Sequence, residues 1–391
     1  MEQFKTIRDR LNDRSYKWME MDAKAPNHGA AAFPFTVADV DMPHPKALTD
    51  GLKDYIDDMV FGYTAPSHAY YEAVIGWYAR RHQWHLEADW IVNAPGVVVA
   101  INNAIKTFTQ EGEGIMIMTP VYYPFKRSIQ NLKRVVVETS LVEVDDAMVI
   151  DFNDFETKAA DPNTKVLLLC SPHNPVGRVW SRHELERIAA ICKAHDVLVF
   201  SDEIHGDLIM PGFTFIPFAS LSDQTKANSI TFASASKSFN LAGLQNAHVI
   251  IPNEDLRMQY TEHVSQDGMS NDTNVLGLAA TQIAYTDCEP WFDAFVALIA
   301  DNHQCVKNFV EEQKLPIRVF PLEGTYLQWL DFNAMGVSEE TLIELLTHHD
   351  VFLSEGSKFG ENGRGFMRMN LACPRSILID GLKRIQSAIQ E

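Results

Sequence analysis

A chain of 391 residues is too long for one compact core and implies roughly two domains. Hydrophobic residues make up 46% and charged residues 22%, the composition of an ordinary globular protein. With 33 basic against 52 acidic residues the net charge is −19, which argues against nucleic acid or an anionic membrane as partner, since both need basic surface. An anionic ligand must then be held by local dipoles and a few placed cations. The amino terminus is charged from its start and has no apolar signal region, and no apolar run is long enough to span a bilayer. Five scattered cysteines (Cys170, Cys192, Cys288, Cys305, Cys373) without C-x-x-C spacing predict unpaired thiols in a reducing cytoplasm. His183 to Arg187 fails the HExxH pattern at its last position, and no structural metal is expected.

Residues 1 to about 45 read as an irregular arm broken by Pro26, Pro34, Pro43 and Pro45, with a short strand-like stretch at 35–41. Helices are predicted over 45–59 and 67–82, separated by the loop Phe61-Gly62-Tyr63-Thr64. A strand over 90–94 breaks at Pro95-Gly96, and a helix begins near Val97 with Ile101, Ala104, Ile105 and Phe108 inward. Such a strand–glycine–helix junction offers free backbone N–H groups to an anion. The apolar strand 115–118 ends in Thr119-Pro120-Val121-Tyr122-Tyr123. Aromatics there either pack the rim or cover a flat heterocycle. A short strand is predicted at 135–137.

Residues 166–170 are continuously apolar, as in a strand buried on both faces, and lead into Pro172-His173-Asn174-Pro175, where the Asn174 amide has little freedom. Ser181 to Glu184 is a capping box opening a helix. The next buried strand, 197–201, ends in Asp202-Glu203-Ile204-His205, and a carboxylate there lies either at a ligand-binding edge or on the cap of a turn. Strand 230–233 runs into Ser234-Ala235-Ser236-Lys237, where two small hydroxyl residues can grip a phosphate and the lysine can form a Schiff base with an aldehyde. A strand at 248–251 follows. Alternating strands and helices between about 50 and 285 predict a doubly wound, mainly parallel sheet. A long helix over 291–313 leaves it, and the remainder is α+β, with strands at 326–330 and 366–370 and helices after Ser338 and at the carboxyl end. The expected organisation is an arm over 1–48, a large domain over 49–286 and a small domain over 287–391. Gly360 to Gly365 spells GxGxxG, but without a preceding strand or following helix it reads as a loop.

Four predicted strand ends thus converge: Gly96 to Val98, Asn174, Asp202 and Ser234 to Lys237. In this order and spacing the chain resembles fold-type I pyridoxal 5'-phosphate (PLP) enzymes, the aspartate aminotransferase superfamily, over nearly its full length. It is more similar to the cystathionine β-lyase (C–S lyase) branch than to the aminotransferases. The branch signals are Val37 to Asp41, Phe61-Gly62-Tyr63, Pro172 to Trp180, Ser201 to His205, Ser236 to Asn240 and Gly365 to Asn370.

The resemblance implies a role for each residue. Lys237 bonds the cofactor aldehyde and then serves as general base. Asp202 keeps the pyridine nitrogen protonated, Asn174 donates to the ring oxygen, and Tyr122 stacks on the ring. The amides of Gly96, Val97 and Val98 with the hydroxyls of Ser234 and Ser236 hold the phosphate, joined by Tyr63 of the neighbouring subunit in a homodimer. Arg368 pairs with the substrate α-carboxylate, a task suited to its planar fork, and Ala38 closes over the same group through its backbone. Two positions depart from the aminotransferase pattern: Gln245 stands where many carry a phosphate-binding arginine, and His205 replaces a tyrosine, either polarising the ring or packing behind Asp202. The implied reaction is β-elimination from L-cystathionine or a related S-conjugate of L-cysteine, giving a thiol, pyruvate and ammonia. The competing expectations are transamination and a non-catalytic regulatory role on the same scaffold.

Overall fold

The computed structural model describes residues 2–8, 10, 12–268 and 273–390. Its largest element is an eight-stranded sheet built from β2 (Ile91–Ala94), β3 (Gly114–Thr119), β4 (Val135–Val144), β5 (Ala147–Ile150), β6 (Thr164–Cys170), β7 (Leu198–Asp202), β8 (Ser229–Ala233) and β9 (Ala247–Ile250). β1 (Phe33–Pro34) lies in the arm. The spatial order is β2-β9-β8-β7-β6-β3-β4-β5. Pairing is parallel from β8 through β7, β6 and β3 to β4, while β9 and β5 run in reverse. Because β9 is antiparallel to both β8 and β2, β2 points the same way as the parallel run. The carboxyl ends of β2, β3, β6, β7 and β8 therefore share one edge, the edge where open α/β sheets bind ligands.

Strand side chains alternate between two apolar layers. Ile115, Ile117, Val166 and Leu168 enter one cluster, and Met116, Met118, Leu167 and Leu169 enter the other. Each is essentially fully buried, and burial of such a side chain contributes about 1.5–3 kcal/mol. This explains why the sequence shows continuous apolar runs instead of alternation with polar residues.

A second, four-stranded antiparallel sheet has the order β10 (Arg318–Val319), β11 (Leu327–Asp331), β14 (Phe366–Asn370), β13 (Ser354–Glu355). Its register sets Arg368 between Trp329 and Ser354. The 25-residue helix Glu289–Gln313 runs between the two sheets in sequence, and Trp291, Phe292, Phe295, Leu298, Ile299, Val306 and Val310 are its buried stripe.

The arm contains a helix the prolines did not forbid: α1 (Tyr16–Lys24) is complete before Pro26. β1 pairs in parallel with β12 (Val351–Phe352). The strand-like stretch 35–41 is not a strand, because its carbonyls are taken by side chains. Thr36 O accepts from Arg368, Val37 O and Asp39 O from Asn370, Ala38 O from Lys237, and Val40 O from Asn240. Lys17, only 1% exposed, pins the same stretch through Asp39 at 3.0 Å and Asp41 at 2.5 Å. Between the arm and the large sheet lie α2 (Lys46–Asp58) and α3 (His68–His82), the latter capped by Ser67. Two further helices that no sequence signal had separated, Glu254–Gln266 and Val275–Asp287, complete this part of the chain. The strand predicted at 135–137 continues to Val144 and turns back as β5. Among the described residues no helix is long and apolar enough to cross a membrane, and all five cysteines are unpaired.

Candidate active site

Lys237 sits on a four-residue helix, Ala235–Ser238, immediately after β8. Ser234 caps it: its Oγ accepts from Ser236 N at 3.0 Å and donates to Asn246 O at 2.6 Å. The helix is tied from behind as well, since Ser238 Oγ donates to the buried Asp207 carboxylate at 2.5 Å. Asp207 also accepts from the Trp77 indole at 2.8 Å and faces His82 Nε2 at 2.8 Å. The lysine amine itself donates to Ala38 O at 2.7 Å. Burial pulls its pKa down to about 8, with Asp39 and Asp202 opposing the shift and Arg368 reinforcing it.

Asp202 is the last residue of β7 and only 3% exposed. Burial pushes its carboxyl up to about 7, against the Ile204 amide, which donates at 3.1 Å, and the Lys237 charge. Each of these two groups thus lies within the electrostatic reach of the other, on one edge of one sheet. Glu203 next door is also buried and pushed up to about 8, but it serves a turn: its Oε1 accepts from Ser201 Oγ and Phe218 N, both at 2.8 Å.

Arg368 projects from β14 across to the large sheet's edge. Its Nη1 donates to Asn174 Oδ1 at 3.0 Å, and its Nη2 to Thr36 O at 2.9 Å and Ser354 Oγ at 3.3 Å. The guanidinium lies over the Phe359 ring, 4.7 Å from its centroid. It is 4% exposed, its Nε has no partner, and among the described residues it pairs with no carboxylate. Burial lowers its pKa to about 10, so it remains a cation at neutral pH. A buried charge without a counterion is costly, and a buried donor without an acceptor adds to that cost. Such a site calls for an anionic ligand.

Tyr122, following β3, packs edge-on against Phe125 at 5.7 Å and lies close enough to Asp202 and Arg368 to feel both charges. His205 is buried, its ring edge-on to Tyr326 at 6.0 Å, and its Nδ1 has no partner. Burial, then Lys237 and Arg368, hold its pKa well below the usual value, so the ring is neutral. At the end of β2, Gly96 adopts φ +154°, and a Cβ there would meet nothing within 4 Å. Beyond it α4 (Val97–Phe108) begins with no side-chain cap, so the first amides of the helix, including Val97 and Val98, face a small open cradle. Ser236 is half-buried in the turn that Ser234 shapes.

Lys237, Ala38, Tyr122, Arg368 and Ser354 line one cavity of about 370 Å³ that opens between Glu20 and Lys358. The chain does not bring Tyr63 to this cavity. Tyr63 is fully exposed at 103%, on a loop where Val60 and Phe61 are also exposed. Sequence reasoning missed Thr36 and Ser354, which hold the Arg368 fork, and Lys17 and Asp207, which brace the arm and the lysine helix. Only the fold reveals them, since none stands in a spaced motif. The site fits a phosphorylated aldehyde with a basic ring: a desolvated amine, an acid behind it, an uncapped helix start and an uncompensated cation.

Residues 40–385 match the family "Aminotransferase class I and II", and the chain belongs to that family. It is 38% identical to cystathionine beta-lyase PatB of Bacillus subtilis over 97% of this chain and 98% of that one. It is 32% identical to protein MalY of Escherichia coli, over 97% of each chain. Among solved structures it superposes on cystalysin from Treponema denticola, which contains a pyridoxal 5'-phosphate cofactor. That match has a TM-score of 0.97 and 41% identity and covers 99% of this chain and 98% of that one. The PLP-bound C–S lyase from Staphylococcus hominis superposes with a TM-score of 0.90 at 29% identity, covering 99% and 98% of the two chains.

Proposed function

We propose that this protein is a pyridoxal 5'-phosphate-dependent C–S β-lyase, which converts an L-cysteine thioether and water to a thiol, pyruvate and ammonia. The observation that carries the reading is the juxtaposition of a buried, uncompensated Arg368 with the desolvated Lys237 amine in one cavity. The likeness to cystathionine beta-lyase PatB and to C–S lyases supports elimination over the other reactions of the family. In this reading residues 1–48, 49–286 and 287–391 act as arm, large domain and small domain. The five unpaired cysteines agree with a cytoplasmic setting.

When bound, the cofactor supplies an aldehyde that amines condense with and a ring that takes up the electron pair left at Cα. The residues do the rest. Lys237 would hold the cofactor through its aldehyde, and its amine, with a pKa lowered to about 8, would take the Cα proton of the substrate. Asp202 would serve the ring nitrogen: ionised, it would keep a proton there and stabilise the charge that develops in the transition state. Arg368 would grip the α-carboxylate through Nε, the donor of its fork that has no partner among the described residues. Ala38, whose carbonyl holds the Lys237 amine, covers that group from the arm. Tyr122 would cover the ring, Asn174 would donate from its amide to the ring oxygen, and neutral His205 would pack behind. The Gly96, Val97 and Val98 amides and the Ser236 hydroxyl would receive the phosphate; the Ser234 hydroxyl, expected there as well, is instead committed to Asn246 O and Ser236 N and shapes the turn. The exposed Tyr63 completes the phosphate site of a second copy in a homodimer.

The deciding experiment mixes the PLP-loaded protein with L-cystathionine in the absence of any keto acid. Prompt pyruvate together with homocysteine is expected. Turnover that depends on an added keto acid and releases no thiol would make the protein an aminotransferase instead. A purified protein that stays colourless with added PLP would revive the non-catalytic reading.

A further inference from the structure

The residues that line the 370 Å³ cavity differ widely in exposure, and Tyr123 at 47% is among the exposed ones. At its inner end Arg368 is 4% exposed, whereas at the mouth the Glu20 and Lys358 side chains are 35% and 45% exposed. Glu20 comes from α1 of the arm and Lys358 from the turn Gly356–Phe359 after β13. They belong to a neutral ring of four charges: Lys358 lies 2.5 Å from Glu355, Lys24 lies 2.6 Å from Glu355 and 3.3 Å from Glu20, and Lys358 lies 3.5 Å from Glu20. Glu355 thus holds both lysines closely and is itself largely buried. Glu20 is held loosely, and its contact with Lys358 stands at the limit of a hydrogen bond. The loosest link of the ring is the one that faces the cavity, with one carboxylate and one ammonium in position to exchange partners.

Resting on the reading that Arg368 takes the α-carboxylate of an amino-acid thioether, we propose that Glu20 and Lys358 form a distal subsite for a second α-amino-acid group. The preferred substrates are then thioethers that carry an amino acid on both sides of sulfur, the class of L-cystathionine, rather than S-alkyl cysteines. With the α-carboxylate held at the inner wall, the sulfur substituent points toward the mouth. An alkyl substituent there gains only apolar contact with the Tyr123 ring, which lines the same cavity, and desolvates Glu20 and Lys358 without returning a polar partner, which costs free energy. A terminal CH(NH3+)COO− group instead gives its ammonium to Glu20 and its carboxylate to Lys358, so the ring stays neutral and each charge keeps a partner. Because the two residues belong to the arm and the small sheet, this substrate also bridges the two walls of the mouth.

The test measures kcat/KM of the PLP-loaded protein for L-cystathionine and for S-ethyl-L-cysteine in wild type, Lys358→Met, Glu20→Gln and Lys358→Arg. Loss of about 5-fold is expected for L-cystathionine in the first two variants, the size of one partly exposed charge pair, with Lys358→Arg close to wild type and S-ethyl-L-cysteine little changed throughout. Equal losses on both substrates would reduce the ring to a clasp between arm and small sheet and overturn the subsite. No loss on either would overturn it too. Calorimetric titration of the same two ligands into PLP-loaded Lys237→Ala, with and without Lys358→Met, reads the discrimination without turnover. A protein that transaminates yet binds the two ligands with this difference loses the lyase reading and keeps the subsite. A protein that eliminates from both without discrimination keeps the lyase reading and loses the subsite.

Discussion

Arg368 donates from Nη1 to Oδ1 of Asn174 at 3.0 Å, so this buried cation fixes which way the Asn174 amide faces. With the oxygen engaged, the NH2 end is left to donate, in the proposed reading to the cofactor ring. Arg368→Ala should therefore do two things. KM should rise about 100-fold, the loss of roughly 3 kcal/mol expected when one side of a buried charge-assisted pair is removed. The visible absorption of the bound cofactor should also shift, because Asn174 is released. Asn174→Ala should shift the absorption with a smaller rise in KM. Steady-state kinetics and absorption spectra check both, and an unchanged KM would remove Arg368 from the site.

Lys237 has a pKa lowered to about 8, so below that pH its free-amine fraction rises about tenfold per pH unit. The rate at which the cofactor-free protein captures added PLP should climb with pH and level off above about pH 8. A plateau near pH 10 would mean that burial does not perturb this amine. Lys237→Ala should lose the covalent capture and all turnover, holding PLP through noncovalent contacts alone, while its unfolding midpoint stays near wild type, since among the described residues the side chain's hydrogen bond is to Ala38 O.

Asp202 titrates in the folded protein at about 7, above the ordinary carboxyl value of 3.8. The folded state therefore holds a proton that the unfolded chain gives up between about pH 4 and 7, and stability from this group falls as pH rises through that window. In the cofactor-free protein Asp202→Asn should remove the effect, flattening the stability profile between pH 4 and 7 by up to about 4 kcal/mol. Urea unfolding at several pH values measures it. Parallel profiles for wild type and variant would show that Asp202 is not desolvated.

Tyr63 stands fully exposed and away from the cavity of its own chain. If it completes the site of a second copy, Tyr63→Ala should bind PLP more weakly without loss of folding. Mixed dimers of Tyr63→Ala with Lys237→Ala protomers should regain turnover, because one of their two sites then has both residues intact. Mixtures as inactive as their parents would confine each site to a single chain.

Much of the large sheet could be read from the chain because its signals are local. The runs at 115–118 and 166–170 are apolar at every position and 230–233 is broken only by Thr231, as a strand covered on both faces requires, and each leads into polar residues at the carboxyl edge. The capping box at Ser181 set the start of its helix for the same reason. The arm was harder. The stretch 35–41 has strand composition, but Arg368, Asn370, Lys237 and Asn240 outbid a partner strand for its carbonyls, and no local pattern announces side chains arriving from up to some 330 positions away.

The sequence by itself determined the chemistry on offer: a lysine, an acid, an amide and a glycine turn, each placed at a strand end by the period of the residues before it. The tertiary structure alone decided their state. Packing removed water from Lys237 and Asp202, which moved both toward neutrality, and the register of the small sheet carried Arg368 into a place without a counterion. Charge, burial and distance depend on what surrounds a group in space, and those neighbours come from elements far apart along the chain.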